Sequence, residues 1–239
     1  MKILLQGAAG RMGRAVTELA REMNFFTIPI GRDGTVQGGD VVIDFSSSDG
    51  LLSALSIALD RSIPFLSGTT ALADEAHRRM EEASRKIPVV WSSNFSFAFA
   101  IFRRCIAEVA RQLAPDFDVE IIECHHRNKK DAPSGSTRLI LEAAAHVFEG
   151  GGGDIFHGRH CIDRARGKEI GIHSIRGGGV GGGRHEVLFL GNHEQLRIAH
   201  ESSNRHAYAQ GALEIARQLT GGTHVPRLYG VEDFLGHVS

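Results

Sequence analysis

Short apolar runs alternate with helical patterns through the N-terminal part of the chain, and this rhythm constrains the fold more than any other feature. The runs are KILLQ, FFTIPI, DVVIDF, IPFLSG and PVVWSS, and amphipathic segments such as RMGRAVTELAREM stand between most of them. Runs this short and this apolar are typical of buried parallel strands, and the amphipathic segments are typical of crossover helices. We therefore predict an α/β fold with a Rossmann-like, doubly wound parallel sheet.

The pattern changes after residue 96, where we predict a second domain. A long helical segment, FAIFRRCIAEVARQL, is followed by a strand, FDVEIIEC, a helix, TRLILEAAAHVF, and a glycine-rich linker, EGGGGD. Three successive strand patterns, IGIHSIR, RHEVLFLG and EQLRIAH, then indicate an α+β unit with a mixed or antiparallel sheet. The last amphipathic segment is expected to pack back on the first domain, which gives domains of residues 1–96 with 204–239 and of residues 97–203.

The first strand runs into a glycine-rich turn, GAAGRMG, at the start of a helix. Its spacing is GxxGxxG, one residue displaced from the GxGxxG of dinucleotide-binding turns. Gly7 can form the tight turn, Gly10 can let a phosphate approach the backbone, and Gly13 can let helix and strand pack closely. The turn therefore predicts a dinucleotide site, with a purely structural turn as the alternative.

The end of the second strand, IPIGRDG, bears on which dinucleotide is bound. NAD-binding sheets usually carry an acid here for the ribose hydroxyls, whereas an arginine accommodates the 2′-phosphate of NADP. This chain has Gly31 and Arg32, so we expect NADPH, with NADH as the second candidate because Asp33 is close by. A solvated arginine in a turn is the alternative interpretation.

Small polar residues follow two further strands, in the turns SGTT and SSNF. Ligands of doubly wound sheets bind outside the carboxyl ends of the strands, so Ser67–Thr70 and Ser92–Phe95 are candidates for cofactor contacts. Each turn could equally be an ordinary helix cap. Asp44 ends the strand of DVVIDF, and we interpret it as an acid of a turn or a cap.

The segment ECHHRNKKDAPSGST places two histidines and two lysines close together. His125 and His126 end a strand, so their side chains point to opposite faces and cannot easily bind one metal. No CxxC, HxxxH or HExxH spacing adds a ligand to Glu123 or Cys124, and we expect no metal. The formal net charge is −1 and the basic patch is small, which argues against a nucleic-acid partner.

The residues DAPSGST precede an apolar, periodic helix and are a strong helix-start pattern. The N–H groups and the positive dipole of a helix start bind anions, so Ser134, Gly135 and Ser136 form a candidate anion site. Lys129 lies just before this site. We expect the segment to hold a substrate with two carboxylates while a lysine or a histidine transfers a proton, with a capped helix after a solvated loop as the alternative.

Six segments in order, GAAGRMG, VVIDFSS, SGTT, SSNFS, ECHHRNKKDAPSGST and RHEVLFLG, resemble the 4-hydroxy-tetrahydrodipicolinate reductase (dihydrodipicolinate reductase) family over nearly the whole chain. The resemblance implies an NAD(P)H-dependent enzyme of diaminopimelate and lysine biosynthesis. Its substrate would be a small cyclic dicarboxylate, 4-hydroxy-tetrahydrodipicolinate, and its product tetrahydrodipicolinate. The resemblance also implies that residues 1–96 with 204–239 bind the dinucleotide, and that residues 97–203 bind substrate and join the chains of a homotetramer.

The resemblance further implies roles for single residues. His125 would be the acid/base, Lys129 the proton donor, and His126 would bind substrate together with Gly135 and Ser136. The family's cofactor contacts fall on Gly7, Ala8, Ala9, Gly10, Arg11, Met12, Arg32, Gly68, Thr69, Thr70, Ser92, Ser93, Asn94 and Phe95.

The chain departs from the family pattern at three places. Gly31 replaces an acid before the arginine, which weakens the case for NADH. Ser136 replaces a threonine, so the hydroxyl is kept and the methyl is lost. The glycine and asparagine usual after NFS are absent from residues 97–100, FAFA, which adds bulk near the expected hinge.

Two other functions fit parts of the pattern: an NADP oxidoreductase of a small amino or keto acid, and a dinucleotide-binding redox sensor without catalysis. The first does not need HHxxK before a helix start, and the second would carry a partner surface such as a basic recognition helix, which we do not find. The three cysteines form no CxxC pair, and no run reaches the ~18 apolar residues of a membrane span. We therefore expect a cytoplasmic protein without membrane contact.

Overall fold

The structure, a computed structural model, describes residues 1–31, 36, 38–113, 116–145, 154–159, 163–179 and 181–236. The chain divides into two units, Met1–Phe97 with Arg205–Ser239, and Ala98–Asn204. Each unit has its own sheet and its own apolar core.

The sheet of the first unit is entirely parallel. Its strands are β1 (Lys2–Gln6), β2 (Phe26–Pro29), β3 (Val41–Asp44), β4 (Phe65–Ser67), β5 (Val89–Trp91) and β11 (Leu228–Tyr229). They lie in the order β11-β5-β4-β3-β1-β2. All of β3 is buried, as expected for an inner strand whose two faces are both covered. The predicted Rossmann-like parallel sheet is confirmed.

Helices accompany this sheet as the apolar rhythm predicts. They are α1 (Arg11–Glu22), α2 (Ser48–Arg61), α3 (Asp74–Ser84), α6 (His206–Gly221) and a 3₁₀-helix (Val231–Phe234). The start of α2 is capped by Ser47, whose hydroxyl accepts a hydrogen bond from the backbone N–H of Gly50 at 3.3 Å. Its buried side chains, such as Leu51 and Leu55, join Val42 and Phe65 of the sheet in one apolar cluster.

The second unit has a mixed sheet. Its strands are β6 (Asp118–His125), β7 (Ile155–His157), β8 (Ile170–Arg176), β9 (Gly183–Leu190) and β10 (Gln195–Glu201). In the order β10-β9-β6-β8-β7, β9 is antiparallel to both of its neighbours, whereas β8 is parallel to both of its own. The predicted α+β unit with a mixed or antiparallel sheet is confirmed in its mixed form, with β6 inserted between the successive strands β8 and β9.

One face of β6 carries both the core of this unit and its polar cluster. Burial alternates along the strand, so that Val119, Ile121, Glu123 and His125 share the buried face. The two aliphatic residues join a core to which α4 (Phe97–Leu113) and α5 (Gly135–Ala145) contribute. The periodicity that buries the core thus also carries a carboxylate and an imidazole into the interior at the end of the strand.

The sequence patterns do not predict β7 and β11. These strands contain three and two residues, which is too short for an alternating pattern to be recognised. The predicted linker EGGGGD lies outside the described residues except for Asp154. Among the described residues, no helix is both long enough and apolar enough to cross a membrane.

Candidate active site

In the turn between β1 and α1, glycine residues allow backbone to pack directly against backbone at the start of the helix. Gly7 has a φ of +79°, and a Cβ there would lie 2.2 Å from the carbonyl oxygen of Phe45. A Cβ on Gly13 would lie 2.3 Å from the carbonyl oxygen of Gly7, so both positions require glycine. Gly10 begins the helix without a side-chain cap, and no acid stands in the first turn. The N–H groups and the dipole of such a helix start suit the phosphates of a dinucleotide.

The SGTT turn after β4 is fixed by buried polar groups. The hydroxyl of Thr69 donates to Oδ2 of Asp44 at 2.6 Å and accepts from the backbone N–H of Ser46 at 2.9 Å. The indole N–H of Trp91 donates to the carbonyl of Thr69 at 3.1 Å. The side chain of Thr69 is therefore committed to the fold, and the turn offers a ligand its backbone and the exposed Thr70.

Asp44 has a larger part in this turn than its interpretation as a turn or cap acid implies. It is fully buried at the end of β3, where it also accepts hydrogen bonds from the hydroxyls of Ser46 and, at 2.7 Å, of Ser67. Burial raises the pKa of Asp44, and the hydroxyl hydrogen bonds limit that rise. The bond to Ser46 is local, but Ser67 reaches the carboxyl group from the end of the neighbouring strand β4, and Thr69 reaches it from the turn after that strand.

The SSNF turn after β5 lies next to the SGTT turn. The backbone N–H of Ser92 donates to the carbonyl of Ser67 at 3.2 Å, and the hydroxyl of Ser92 donates to the carbonyl of Asn94 at 2.8 Å. Phe95 is 1% exposed, and its ring packs edge-on against that of Phe45 with the centroids 5.9 Å apart. Phe95 can therefore meet a ligand through its backbone and not through its ring.

These turns lie at one edge of the first unit's sheet, because β1, β4 and β5 are parallel strands of that sheet. The structure thus brings together three of the predicted groups of cofactor residues. They are Gly7, Ala8, Ala9, Gly10, Arg11 and Met12, then Gly68, Thr69 and Thr70, then Ser92, Ser93, Asn94 and Phe95. Arg32, the remaining predicted contact, lies outside the described residues.

Glu123 is the centre of a buried polar cluster in the second unit. Its Oε2 accepts from the backbone N–H of Ser134 at 3.0 Å and from the hydroxyl of Thr137 at 2.6 Å. Its Oε1 accepts from Nη2 of Arg176 at 2.6 Å. Burial alone would raise the pKa of Glu123, but the imidazole of His125, whose Nε2 is 3.6 Å from Oε2, and the hydrogen bonds from Ser134 and Thr137 outweigh it and lower the pKa well below its usual range. The charged carboxylate ties the start of α5 to the end of β6.

The start of α5 has the local structure that DAPSGST predicts. The hydroxyl of Ser134 accepts from the backbone N–H of Thr137 at 3.2 Å, which is the bond of a helix N-cap. Gly135 and Ser136 lie between these residues in the first turn of α5, and the N–H groups of a helix's first turn point out of its N-terminal end. The predicted anion site therefore lies at a capped helix N-terminus, which a hydrogen bond to the carboxylate of Glu123 ties to β6.

Lys129 follows β6 in a turn, where its backbone N–H donates to the carbonyl of His126 at 3.1 Å. Its Nζ lies 2.9 Å from Oδ1 of Asp131, and its side chain is only 22% exposed. Desolvation would raise the pKa of Asp131, but the hydrogen bond and the charge of Lys129 lower it. The ammonium group is therefore oriented by a carboxylate two residues further along the chain.

His125 contacts a second histidine, His185, which our interpretation of the sequence did not select. Nε2 of His185 lies 3.3 Å from Nε2 of His125 and 3.3 Å from the hydroxyl oxygen of Ser134. Burial, followed by the charge of His125, lowers the pKa of His185 to about 3. The register of β9 on β6 pairs His185 with Glu123, and the alternation that buries Val187 also buries His185, which is the signal that could have identified it.

Glu123, His125 and His185 have ligand atoms within 4.8 Å of one another, the arrangement of a conceivable metal site. The guanidinium of Arg176, however, lies 2.6 Å from Oε1 of Glu123 and would repel a cation there. The group is thus better described as a hydrogen-bonded cluster. The absence of a metal stays a prediction.

Two family profiles match consecutive parts of the chain. The profile described as dihydrodipicolinate reductase, N-terminus, matches residues 31–95, and that described as dihydrodipicolinate reductase, C-terminus, matches residues 98–235. The 4-hydroxy-tetrahydrodipicolinate reductase of Alkaliphilus oremlandii is 37% identical over 98% of this chain and 98% of its own length. The enzyme of that name from Methanosarcina mazei is 40% identical over 82% of this chain and 73% of its own.

A solved structure has the same fold. The dipicolinate-bound dihydrodipicolinate reductase from a Paenisporosarcina species superposes with a TM-score of 0.76 and covers 98% of this chain and 99% of its own. Its sequence is 20% identical, so this likeness concerns the fold alone.

Proposed function

The chain belongs to the dihydrodipicolinate reductase family, and on this premise we propose that it reduces 4-hydroxy-tetrahydrodipicolinate to tetrahydrodipicolinate in diaminopimelate and lysine biosynthesis. It is an NAD(P)H-dependent oxidoreductase. In the balanced reaction, the substrate gains one hydride and one proton and loses one water. The observation that carries the assignment of the site is the joining of His125 and the start of α5 by the buried carboxylate of Glu123.

We propose that the start of α5 binds a carboxylate of the substrate through Gly135 and Ser136, with His126 as a further contact. The helix start suits an anion because of its N–H groups and its dipole. Glu123 holds the N–H of Ser134 at 3.0 Å, which fixes the helix on the strand that ends in His125. A ring with two carboxylates would place its second negative charge within reach of a cationic side chain, and we assign this contact to Lys129.

Lys129 also has the chemistry to supply the proton. Once water has left, hydride addition at the ring carbon that carried the hydroxyl leaves an enamine, which must be protonated at the neighbouring carbon. An ammonium group can pair with a carboxylate and donate a proton, and Asp131 holds that of Lys129 at 2.9 Å. His125 is proposed as its acid/base partner. The charge of Lys129 also acts on this cluster. The pKa of His185 is lowered mainly by burial, then by the charges of His125 and His200, and to a smaller extent by the charge of Lys129.

Bound NADPH would supply the hydride. The first unit fits the cofactor, because glycine is required at Gly7 and Gly13 where a Cβ would collide with backbone, and α1 starts without a side-chain cap. We propose NADPH as the preferred form because Gly31 presents no carboxylate to a 2′-phosphate and Arg32 follows it. The test is kcat/KM with each cofactor, and Arg32→Ala should lower the preference for NADPH about tenfold. A preference unchanged by that substitution would remove Arg32 from the proposal.

We further propose that the first unit is the dinucleotide-binding domain, and that the second binds substrate and forms a homotetramer through its sheet. Exposed apolar side chains on three of its strands, Ile155, Ile175 and Leu196, support an interface there. Light scattering coupled to size exclusion measures the number of chains, and a monomer at micromolar concentration would contradict the assembly. The odd number of cysteines without a CxxC pair supports a cytoplasmic location.

Lys129→Met tests the function and the role together, with Lys130→Met as the matched control. Lys130 is the neighbouring lysine and is exposed. The preceding synthase would generate the unstable substrate in the cuvette, and loss of NADPH absorbance would report turnover. We expect Lys129→Met to lower kcat by about 10² to 10⁴ with NADPH affinity nearly unchanged, and Lys130→Met to turn over like the unsubstituted protein. Normal turnover in Lys129→Met would contradict the role, and NADPH binding without turnover in the unsubstituted protein would contradict the function.

A further inference from the structure

A chain of hydrogen bonds leads from Glu123 to His125, and its direction is set at its first member. A carboxylate can only accept, so the hydroxyl of Thr137, 2.6 Å from Oε2, must donate to it. The oxygen of Thr137 is then the acceptor in its 3.1 Å contact with the hydroxyl of Ser134, because its only proton is already used. The hydroxyl proton of Ser134 is thereby used as well.

The next member, His185, must therefore be a donor. Its Nε2 lies 3.3 Å from the oxygen of Ser134, which can only accept there. If the hydroxyl of Ser134 instead donated to His185, the oxygens of Ser134 and Thr137 would lie 3.1 Å apart without a proton between them. It would also leave Nε2 of His185 as the acceptor for two donors with its single lone pair.

The other ring nitrogen of His185 gives the same answer independently. Its Nδ1 is buried and has no hydrogen-bond partner among the described residues. A proton on Nδ1 would be a buried N–H without an acceptor, and such groups are rare in folded proteins. The neutral ring therefore carries its proton on Nε2, which faces His125 and Ser134.

We propose that His185 is a positioning residue that sets the tautomer of His125. The N–H at Nε2 of His185 is shared between the oxygen of Ser134 and Nε2 of His125, which is 3.3 Å away. Uncharged His125 then accepts at Nε2 and carries its own proton on Nδ1. The backbone fixes this orientation, because the ring lies against Gly183, where an added Cβ would be 2.3 Å from Cε1 of His125.

This inference rests on the proposed function for its catalytic meaning. If His125 is the acid/base partner of Lys129, uncharged His125 presents an N–H and not a lone pair at Nδ1. A donor there suits an anionic ring, and it leaves the proton transfer to the substrate carbon to Lys129. By setting the tautomer of His125, His185 would give His125 and Lys129 different roles without itself contacting the substrate.

The tautomer can be measured directly by ¹⁵N NMR of the full chain labelled at its histidine rings, without substrate. The signals of His125 are assigned by their loss in His125→Gln. At a pH where His125 is uncharged, we expect its Nε2 to resonate as an unprotonated ring nitrogen and its Nδ1 as a protonated one. A proton found on Nε2 instead would overturn the proposal.

Two substitutions of His185 separate a hydrogen-bond donor from bulk. His185→Gln keeps an N–H near the position of Nε2, whereas His185→Leu removes it. With the leucine, the proton of His125 should move to Nε2, which lies 3.6 Å from Oε2 of Glu123, and kcat should fall about tenfold. The glutamine should restore the tautomer and most of kcat. An unchanged tautomer in a folded His185→Leu would overturn the proposal.

His200→Gln is the matched control. His200 pairs with His185 across β10 and β9, and both rings pack against Phe99 with centroids 5.4 and 5.7 Å away, respectively. Its substitution should leave the tautomer of His125 unchanged, and a change equal to that in His185→Leu would overturn the proposal. Because the NMR experiment needs no turnover, the expected tautomer in a chain that reduces no substrate would support the inference while contradicting the proposed function.

Discussion

Glu123→Gln should destabilise the second unit far more than the loss of one surface charge would. Glu123 is fully buried, and the side chain of its partner Arg176 is 18% exposed, so the substitution leaves a largely buried guanidinium without its carboxylate. Glutamine also has only one acceptor oxygen. Its NH₂ group must face either Arg176 or the donors on Ser134 and Thr137, which sets donor against donor. Breaking a buried pair in this way costs about 3–5 kcal/mol of unfolding free energy.

A cost of that size is a large part of a typical stability of about 5–15 kcal/mol, so the measurement must report on the correct unit. The only tryptophan, Trp91, lies in the first unit, and its fluorescence would miss the change. Hydrogen exchange of the β6 amides, followed by mass spectrometry in increasing urea, reports on the second unit. Glu108→Gln is the control, because Glu108 pairs with Arg111 in the same unit but is 62% exposed, and its loss should leave the exchange of the β6 amides nearly unchanged.

The double variant Glu123→Gln with Arg176→Met decides whether the orphaned charge is the cause. If it is, removing the guanidinium should recover at least about 1 kcal/mol of the loss, because residues that share a hydrogen bond are coupled. The hydrogen bonds to Ser134 and Thr137 would remain impaired, so recovery should be partial. Strictly additive losses in the double variant would refute the reasoning, and so would a cost in Glu123→Gln as small as that in Glu108→Gln.

Two further predictions concern Asp44 and His185. Asp44→Asn replaces a buried acceptor of Thr69 with a group that has one acceptor oxygen, so the SGTT turn should loosen and KM for NADPH should rise by about fivefold to tenfold with kcat less affected, as steady-state kinetics would show. An unchanged KM would separate Asp44 from cofactor binding. The pKa of His185 is about 3 in the folded chain against 6.5 in the unfolded chain, so the unfolded chain takes up the proton first and stability should fall as the pH drops from 6.5 towards 3. Urea midpoints at about pH 7 and about pH 4 should differ less in His185→Gln than in the unsubstituted protein, and equal differences would contradict this source of acid sensitivity.

The parallel sheet could be predicted from sequence because its inner strands are continuous apolar runs with helical segments between them. The turns at its carboxyl edge could be predicted for the same reason, since each follows such a run. Asp44 could be placed at a strand end, but its partners Ser67 and Thr69 could not be identified. They meet it through the register of β4 on β3, and a single sequence does not encode which residues face each other across two strands.

The second unit shows the same limit in its site. His125, Lys129 and the helix start lie in one continuous segment, so a pattern of adjacent residues was enough to select them. His185 and Arg176 come from other strands, and no local motif links them to Glu123. Glu123 itself carried a usable signal, because it is in phase with Val119 and Ile121 on the buried face of β6.

The position of Glu123 on the buried face of β6 also explains why a charged pair is buried where apolar side chains would otherwise pack. A buried ion pair often contributes less stability than well-packed apolar residues of the same volume, so the pair of Glu123 and Arg176 is not accounted for by stability alone. An apolar residue at Glu123 would lose the acceptor that fixes Ser134, and the chain of protons ending at His125 would lose its fixed direction. The buried carboxylate is therefore better understood as the group that orders the site, and the second unit retains it at the expense of packing.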